Sequence, residues 1–404
     1  MKEGWEIKKL VDICSIQLGK TPYRKNPKFW DKEKIGGNVW LSISDLKHGE
    51  YISESAEHVT DLGAKQIVKI PKETILLSFK LTLGRISFAG TDLYTNEAIA
   101  ALLNLDKKIS KDFLFYYFTL FDWDKAAEGD EKVKGKTLNK QKLKELPVPL
   151  PPLPEQQRIV SILDEVFAAI DKAKANTEQN LKNAKELFES YLQGVFENKR
   201  DDWEEKTLGE VLVKTETVDP TKKPNEEFIY LDVSSVNKDT KQIENATVLL
   251  GKDAPSRARK LVRTNDVIFA TVRPTHSRVA LITEEYNEQV CSTGYFVLRA
   301  KEFLSNNLVY YFLLTCSFNK QMEKLQKGAS YPAVTDSEVK GIYISFPKSL
   351  KEQQTIVQKL NALSAETKNL EAIYNHKIND LEELKKSILH KAFTGELTAI
   401  ESTI

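Results

Sequence analysis

Leu153-Pro154-Glu155-Gln156-Gln157-Arg158-Ile159-Val160-Ser161-Ile162-Leu163-Asp164 opens a stretch that runs to Asn198 and closes on Ser190-Tyr191-Leu192-Gln193-Gly194-Val195-Phe196. From Leu350 the chain returns to it, as Leu350-Lys351-Glu352-Gln353-Gln354-Thr355-Ile356-Val357, and ends the second copy on Ser387-Ile388-Leu389-His390-Lys391-Ala392-Phe393. At a constant offset of 197 positions, Glu155, Gln156, Gln157, Ile159, Val160, Leu163, Leu187, Ser190, Leu192 and Phe196 reappear as Glu352, Gln353, Gln354, Ile356, Val357, Leu360, Leu384, Ser387, Leu389 and Phe393. A fixed offset of this kind is the signature of a tandem duplication.

Both copies have the period of long helices. Ile159, Leu163, Val166, Ile170, Ala173, Thr177, Leu181, Ala184, Phe188, Tyr191 and Val195 recur at spacings of four and three, with one extra four near Thr177. That is a heptad seam with a stutter. The second copy repeats it through Ile356, Leu360, Leu363, Thr367, Leu370, Tyr374, Ile378, Leu381, Leu384 and Ile388. Proline is tolerated in the first turn, where Pro154 stands, and none follows inside either run. Glu155 and Glu352 sit where a helix N-terminus favours negative charge. About 44 helical residues would measure roughly 66 Å. One narrow apolar stripe on so long a helix needs a partner. Either the copies pair with each other, or each packs on its own globular neighbour.

A chain of 404 residues holds two to four domains, and the duplication favours two units, each a globular part plus a helix. Hydrophobic residues make up 41% of it, enough for ordinary cores. Cys14, Cys291 and Cys316 offer no disulfide framework and suit a reducing cytosol. No signal peptide precedes Trp5 and no apolar run reaches spanning length, so a soluble, cytoplasmic protein is expected.

A net charge of +1 is uninformative by itself, because the placement of charges decides nucleic-acid affinity. Lys20, Arg24, Lys25 and Lys28 crowd one stretch, and Lys132, Lys134, Lys136, Lys140, Lys142 and Lys144 another. Arg257, Arg259, Lys260, Arg263, Arg273, His276 and Arg278 fall within 22 positions. Any one cluster is explained by a solvated basic face; their presence in both globular parts weakens that explanation.

In the first globular part, Leu18-Gly19-Lys20-Thr21-Pro22-Tyr23-Arg24 is predicted to be an exposed loop. Asn38 to Ile43, Thr74 to Phe79, Arg85 to Ala89 and Ala98 to Leu105 are predicted strands, and Phe113 to Phe121 a short core helix. The second part repeats the order with different residues. Trp203 and Leu208 restart the pattern of Trp5 and Leu10, Val267 to Thr271 corresponds to the strand at Ile75, Lys80 falls against Arg273, and Arg85 against Arg278. Tyr310-Tyr311-Phe312 is matched to Tyr116-Tyr117-Phe118.

No catalytic constellation stands out. There is no phosphate-cradling glycine loop, no dinucleotide fingerprint and no nucleophile elbow. His48, His58, His276, His376 and His390 lack ligand spacing with one another or with cysteine, which argues against a metal site. The Asn/Asp-Pro-Pro-aromatic tetrapeptide expected of an exocyclic-nitrogen methyltransferase is missing. The chain is therefore expected to be non-catalytic alone. A self-contained DNA-modifying enzyme and a structural coiled-coil scaffold with protein-binding ends are the competing readings.

Over essentially its full length the chain resembles the specificity subunit of type I restriction-modification systems. Pro149 to Val160 looks like the family's run into its first helical repeat, and Gly19-Lys20-Thr21-Pro22, Phe29-Trp30, Asn38-Val39-Trp40-Leu41, Thr82-Leu83-Gly84 and Thr137-Leu138 follow its common pattern. The second part departs from it, with Thr271-Val272-Arg273-Pro274, Ser292-Thr293-Gly294 and Tyr331-Pro332 resembling a different subclass of the same domain. The resemblance implies an α+β architecture. Target-recognition domains at 1–148 and 200–346 would alternate with helical spacers at 149–199 and 347–404, the two helices pairing as an antiparallel coiled coil with pseudo-two-fold symmetry. It implies binding to double-stranded DNA, each domain reading half of a bipartite, asymmetric site while the helices set the spacing. Two modification subunits would methylate adenine with S-adenosylmethionine, and restriction subunits would translocate and cleave with ATP and magnesium; this chain itself would need no cofactor. Loop position and donor-rich side chains nominate Lys20, Thr21, Tyr23, Arg24, Ser78, Lys80, Arg85, Lys134 and Lys136 for the first half-site. Arg257, Arg259, Arg273, Thr275, His276, Arg278, Ser330 and Tyr331 are nominated for the second.

Overall fold

The computed structural model describes residues 4–129, 131–132 and 135–398. Two 45-residue helices, Leu153–Glu197 and Leu350–Thr394, occupy the two repeated stretches. The compact units are not the sequence repeats. The first unit is Met1–Asn176 with Lys377–Ile404, and the second is Thr177–His376, so each unit takes part of both long helices. Among the described residues, no helix is long and apolar enough to cross a membrane.

In the first unit, strand Glu6–Lys9 pairs antiparallel with Pro147–Leu150, bringing the end of the globular part back to its beginning just before the long helix starts. Between them lies a five-stranded sheet in the order Ser15–Leu18, Ile99–Leu103, Ile75–Ser78, Ile86–Ala89, Tyr51–Ile52. A second sheet runs Tyr94–Thr95, Asn38–Leu41, Glu57–Val59, Trp30–Asp31. Ile75–Ser78 and Ile86–Ala89 are buried throughout, as unbroken apolar runs demand. Helix Lys111–Leu120, capped by Ser110, buries Phe113, Leu114, Tyr116 and Phe118. These join Ile159, Leu163, Phe167 and Ile170 of one long helix and Leu389 and Ala392 of the other in a single core.

The second unit follows the same plan. Trp203–Thr207 pairs with Tyr343–Pro347. The central strand Val267–Ala270 lies between Val279–Leu281 and Tyr295–Leu298, as Ile75–Ser78 lies between its neighbours. Helix Asn306–Leu313 packs into a core with Leu192, Phe196, Val357 and Leu360 of the long helices.

Within each unit the long helices run antiparallel. In the first, Asp171 meets Lys385 at 3.0 Å and Lys174 pairs with Glu382; in the second, Lys185 meets Glu371 at 3.6 Å. Thr177, at the stutter, is buried as the seam requires. Two expected seam positions are not in it. Tyr191 is 41% exposed and Leu384 46%, while Leu192 and Leu389 are buried in their stead. Spacings of four from Phe188 lead to Leu192 and Phe196; the matching run passes from Leu381 through Lys385, whose ammonium lies 4.7 Å from the Phe167 ring, to Leu389. An α-helix turns in 3.6 residues, so the buried stripe drifts off a strict heptad.

The repeated glutamines explain why the helix starts agree. Gln156 is buried, accepts the Ser110 amide at 2.9 Å through Oε1, and donates from Nε2 to the carbonyls of Lys108 (3.1 Å) and Pro151 (2.8 Å). Gln353 is likewise buried and accepts from Ser305 at 2.8 Å, donating to Phe303 (2.9 Å) and Pro347 (2.8 Å). About two turns further on, the Tyr116 hydroxyl donates to Asp164 at 2.5 Å and the Tyr311 hydroxyl to Asn361 at 2.6 Å. These bonds make Tyr311, not Tyr310, the counterpart of Tyr116, so the aromatic runs are matched one residue away from the register expected. Each glutamine and tyrosine together fasten a globular part to a long helix.

Candidate nucleic-acid interface

In the first unit, the loop after strand Ser15–Leu18 leaves the sheet at Gly19, where a Cβ would lie 2.2 Å from the Asn96 carbonyl oxygen; only glycine fits. The Lys20 amide donates to the Thr95 carbonyl at 2.8 Å, and the buried Trp40 indole donates to the Lys20 carbonyl at 3.2 Å. Arg24 folds inward. Its guanidinium lies 4.1 Å from the Trp30 ring and 4.6 Å from that of Trp40, and it pairs with Glu57. The Thr21 hydroxyl donates to Glu97 at 2.5 Å. Burial pushes the Glu97 carboxyl up, but the Thr21 bond, its own amide, Lys80 and Arg24 outweigh burial and hold it below the usual range. The loop thus holds the Arg24 guanidinium against the two tryptophan rings at the surface, and Lys20, Tyr23, Lys25 and Lys28 are exposed beside it.

The second loop of this unit follows strand Ile75–Ser78. Ser78 is fully buried, its hydroxyl donating to the Thr82 carbonyl at 2.5 Å and accepting the Arg85 amide at 2.9 Å. Arg85 donates to the Ile43 carbonyl at 3.3 Å. Lys80–Leu81 pairs with Gly135–Thr137, placing Lys136 opposite Leu81, and Lys136 lies 2.7 Å from Asp124. Lys134 lies outside the described residues.

In the second unit, the chain leaves strand Val267–Ala270 into the short turn Pro274–His276, flanked by Arg273 and Ser277, both left-handed with φ of 50° and 48°. A second segment reaches it through the bridge of Val272 with Ala333 and the Arg273 amide on the Pro332 carbonyl at 2.7 Å. Arg273, His276, Ser330 and Tyr331 are exposed, and Arg273 lies 5.3 Å from the Tyr331 ring centroid. Asn319 donates to the Thr275 carbonyl at 3.4 Å and the Ser277 hydroxyl at 2.8 Å. Arg278 is turned inward onto the Val236 carbonyl, as Arg85 is onto that of Ile43. Arg257 is exposed, whereas Arg259 lies 3.4 Å from Asp219 and donates to its neighbour's carbonyl.

The structure therefore sorts the nominated residues. Lys20 and Tyr23 share one loop of the first unit and Lys80 and Lys136 its paired strands Lys80–Leu81 and Gly135–Thr137, while Arg273, Thr275, His276, Ser330 and Tyr331 lie on two loops of the other. Ser78 is buried, and Arg24, Arg85 and Arg278 have side-chain nitrogens bonded to other groups of the same unit, so they shape the loops. Trp30 and Trp40, quoted above only for the pattern they follow, serve as the seat of Arg24. Sequence did not single out Asn319 and Lys241, which brace the turn at Ser277 from 42 and 36 residues away, so no spacing marks them.

The chain matches the family model described as type I restriction modification DNA specificity domain twice, over residues 2–183 and 200–382. The type I restriction enzyme MjaIX specificity subunit of Methanocaldococcus jannaschii is 25% identical over 432 residues, covering 99% of this chain and 95% of that one. The EcoKI specificity subunit of Escherichia coli K12 is 23% identical over 431 residues, covering 99% and 90%. A chain from a structure concerned with complex assembly and conformational transition of the type I R-M system shares the fold, with a TM-score of 0.78 at 18% identity over 98% of this chain and 99% of that one. The HsdS subunit from Thermoanaerobacter tengcongensis gives 0.63 at 18% identity, covering 98% of each.

Proposed function

As this chain belongs to the type I restriction modification DNA specificity family, whose task is DNA target recognition, we propose that its two globular parts read the two unlike halves of a bipartite, asymmetric sequence in double-stranded DNA. The observation that carries this is one anchor bearing two surfaces. The glutamine and tyrosine bonds to the long helices are the same in both units, while the loops differ in residue type and construction: an arginine seated between tryptophans in one, an arginine displayed on a tyrosine in the other.

On this reading Lys20, Thr21, Tyr23, Lys80, Lys134 and Lys136 serve the first half-site, with Arg24, Ser78 and Arg85 bracing their loops. Arg257, Arg259, Arg273, Thr275, His276, Ser330 and Tyr331 serve the second, braced by Arg278. Phosphate contacts fix the position of the duplex, and side chains reaching base edges give sequence. The long helices set the distance between half-sites, which on B-DNA comes in turns of about 34–36 Å; a helix of 45 residues rises about 68 Å. Methylation of adenine with S-adenosylmethionine belongs to two modification subunits docked on the helices. ATP- and magnesium-dependent translocation and cleavage belong to restriction subunits, and the assembly works in the cytoplasm.

The test is to map adenine methylation in a cell that carries this chain with its modification partner. A split, asymmetric motif is expected. A palindromic motif, or methylation by this chain purified alone, would overturn the proposal.

A further inference from the structure

Several cations on the second unit are neutralised where they stand. Arg259 lies 3.4 Å from Asp219, Lys260 2.8 Å from Asp336, Arg263 3.0 Å from Glu216, Lys327 2.8 Å from Glu338, and Arg299 reaches Asp266 at 2.7 Å. Arg273 has no carboxylate partner among the described residues. Its guanidinium instead lies over Tyr331, a ring that is 72% exposed. A guanidinium held over a ring by cation–π attraction keeps its planar fork of N–H donors available for an acceptor pair.

The backbone beneath it is held firmly in an unfavourable shape. Arg273 and Ser277 are both left-handed, a conformation that side chains with a Cβ avoid and that persists only where surroundings fix it. Here four hydrogen bonds fix it: Arg273 amide to Pro332 carbonyl (2.7 Å), His276 amide to Arg273 carbonyl (3.0 Å), Lys241 ammonium to Ser277 carbonyl (2.8 Å) and Asn319 amide to Ser277 hydroxyl (2.8 Å). Burial holds the Lys241 ammonium below its usual range, consistent with a brace rather than a surface charge. A phosphate contact needs only a cation at the rim. A planar fork held in orientation on a braced turn is what selection between base edges needs.

We propose that Arg273 reads a guanine, donating two parallel hydrogen bonds to O6 and N7 in the major groove, with Tyr331 as the positioning residue that holds the plane of the fork. This rests on the target-recognition reading above and assigns one base of the second half-site to one side chain.

The test uses the whole chain assembled with its modification subunits and S-adenosylmethionine. Duplexes with a randomised second half-site are methylated and the products sequenced. Wild type should require guanine at one position. Arg273→Ala should lose about 5- to 150-fold of discrimination at that position alone. Arg273→Gln, which keeps an L side chain on the same left-handed backbone, should move the preference there to adenine, whose N6 and N7 suit a carboxamide. Tyr331→Ala should loosen the same position and Tyr331→Phe should not. Uniform weakening across all sequences, with a shallower salt dependence, would make Arg273 a phosphate contact and overturn the proposal; so would variants that select as wild type does. A wild-type complex that selects no sequence would overturn the target-recognition reading itself, an outcome distinct from a selective wild type with indifferent variants.

Discussion

Replacing Gln353 by leucine should loosen the second unit by about 2–5 kcal/mol, on a net value of about 1 kcal/mol for each of three hydrogen bonds and more for every buried group left unpaired. The side chain is fully buried, and its loss strands the Ser305 amide and the carbonyls of Phe303 and Pro347 at once. Leucine returns some apolar burial, which sets the lower end of the range. The assay is hydrogen exchange of the full chain, read on peptides containing Ser305, alongside chemical denaturation. The Ser305 amide should exchange faster, while peptides around Ser110, held by Gln156, keep their protection. Gln353→Glu supplies a second readout. It keeps the acceptor for Ser305 but faces a carboxylate onto two carbonyl oxygens, which raises its folded-state pKa above the unfolded value of about 4.3. A raised pKa gives stability that is full below about pH 4.3 and lost as pH climbs through the folded value, so the glutamate variant should be firmest in mild acid. Unchanged Ser305 protection in Gln353→Leu, or a pH-independent Gln353→Glu, would refute the fastening role.

Leu360, fully buried against the long helix, should cost about 2–5 kcal/mol on truncation to alanine. Leu187, 73% exposed on the partner helix, should cost no more than about 0.5 kcal/mol, and denaturant midpoints in the reverse order would contradict the seam described here. Glu338, held down to about 2 by Lys327, the Thr335 amide and the Thr335 hydroxyl, caps helix Asp336–Lys340 beside the segment that carries Tyr331. A depressed folded pKa gives stability present above the unfolded value and lost as pH falls through about 2; a carboxyl resonance titrating near 4.3 would show that the cap does not form.

The long helices were legible because their information is local: period, a proline at one start and a repeat of that period elsewhere in the chain. The buried strands at Ile75–Ser78 and Val267–Ala270 were legible for a similar reason, since apolar runs bounded by polar turns leave little choice. The register of the aromatic helices was not. Tyr310 and Tyr311 are equally aromatic, and what separates them is a hydroxyl bond from Tyr311 to Asn361, visible only once the helix is laid against its partner. The same limit governs the candidate interface. Sequence marks an arginine as a cation but not where its charge goes. Arg24 reaches two tryptophans and a glutamate, Arg278 a carbonyl at Val236, and Arg273 neither, so three residues of one type have three different roles.

The division between an anchor shared by the two halves and loops that differ between them follows from the chemistry of the anchor. Gln156 and Gln353 bond only to main-chain groups, two carbonyls and an amide each, and every residue supplies a carbonyl. Lys108 in one unit and Phe303 in the other therefore serve equally well, although a lysine and a phenylalanine have nothing else in common. Even spacing is forgiving: the carbonyl that Gln156 reaches ahead of its own helix lies five residues back, and the one for Gln353 lies six. A fastening that ignores side-chain identity places no restraint on the loops beyond it. Those loops are stabilised by their own local devices instead, tryptophans around Arg24 in one unit and the Lys241 and Asn319 braces in the other. Exchange of one globular part for another of different loop sequence should thus leave the helix junction intact, provided that a glutamine at the helix start still meets a free amide and two carbonyls.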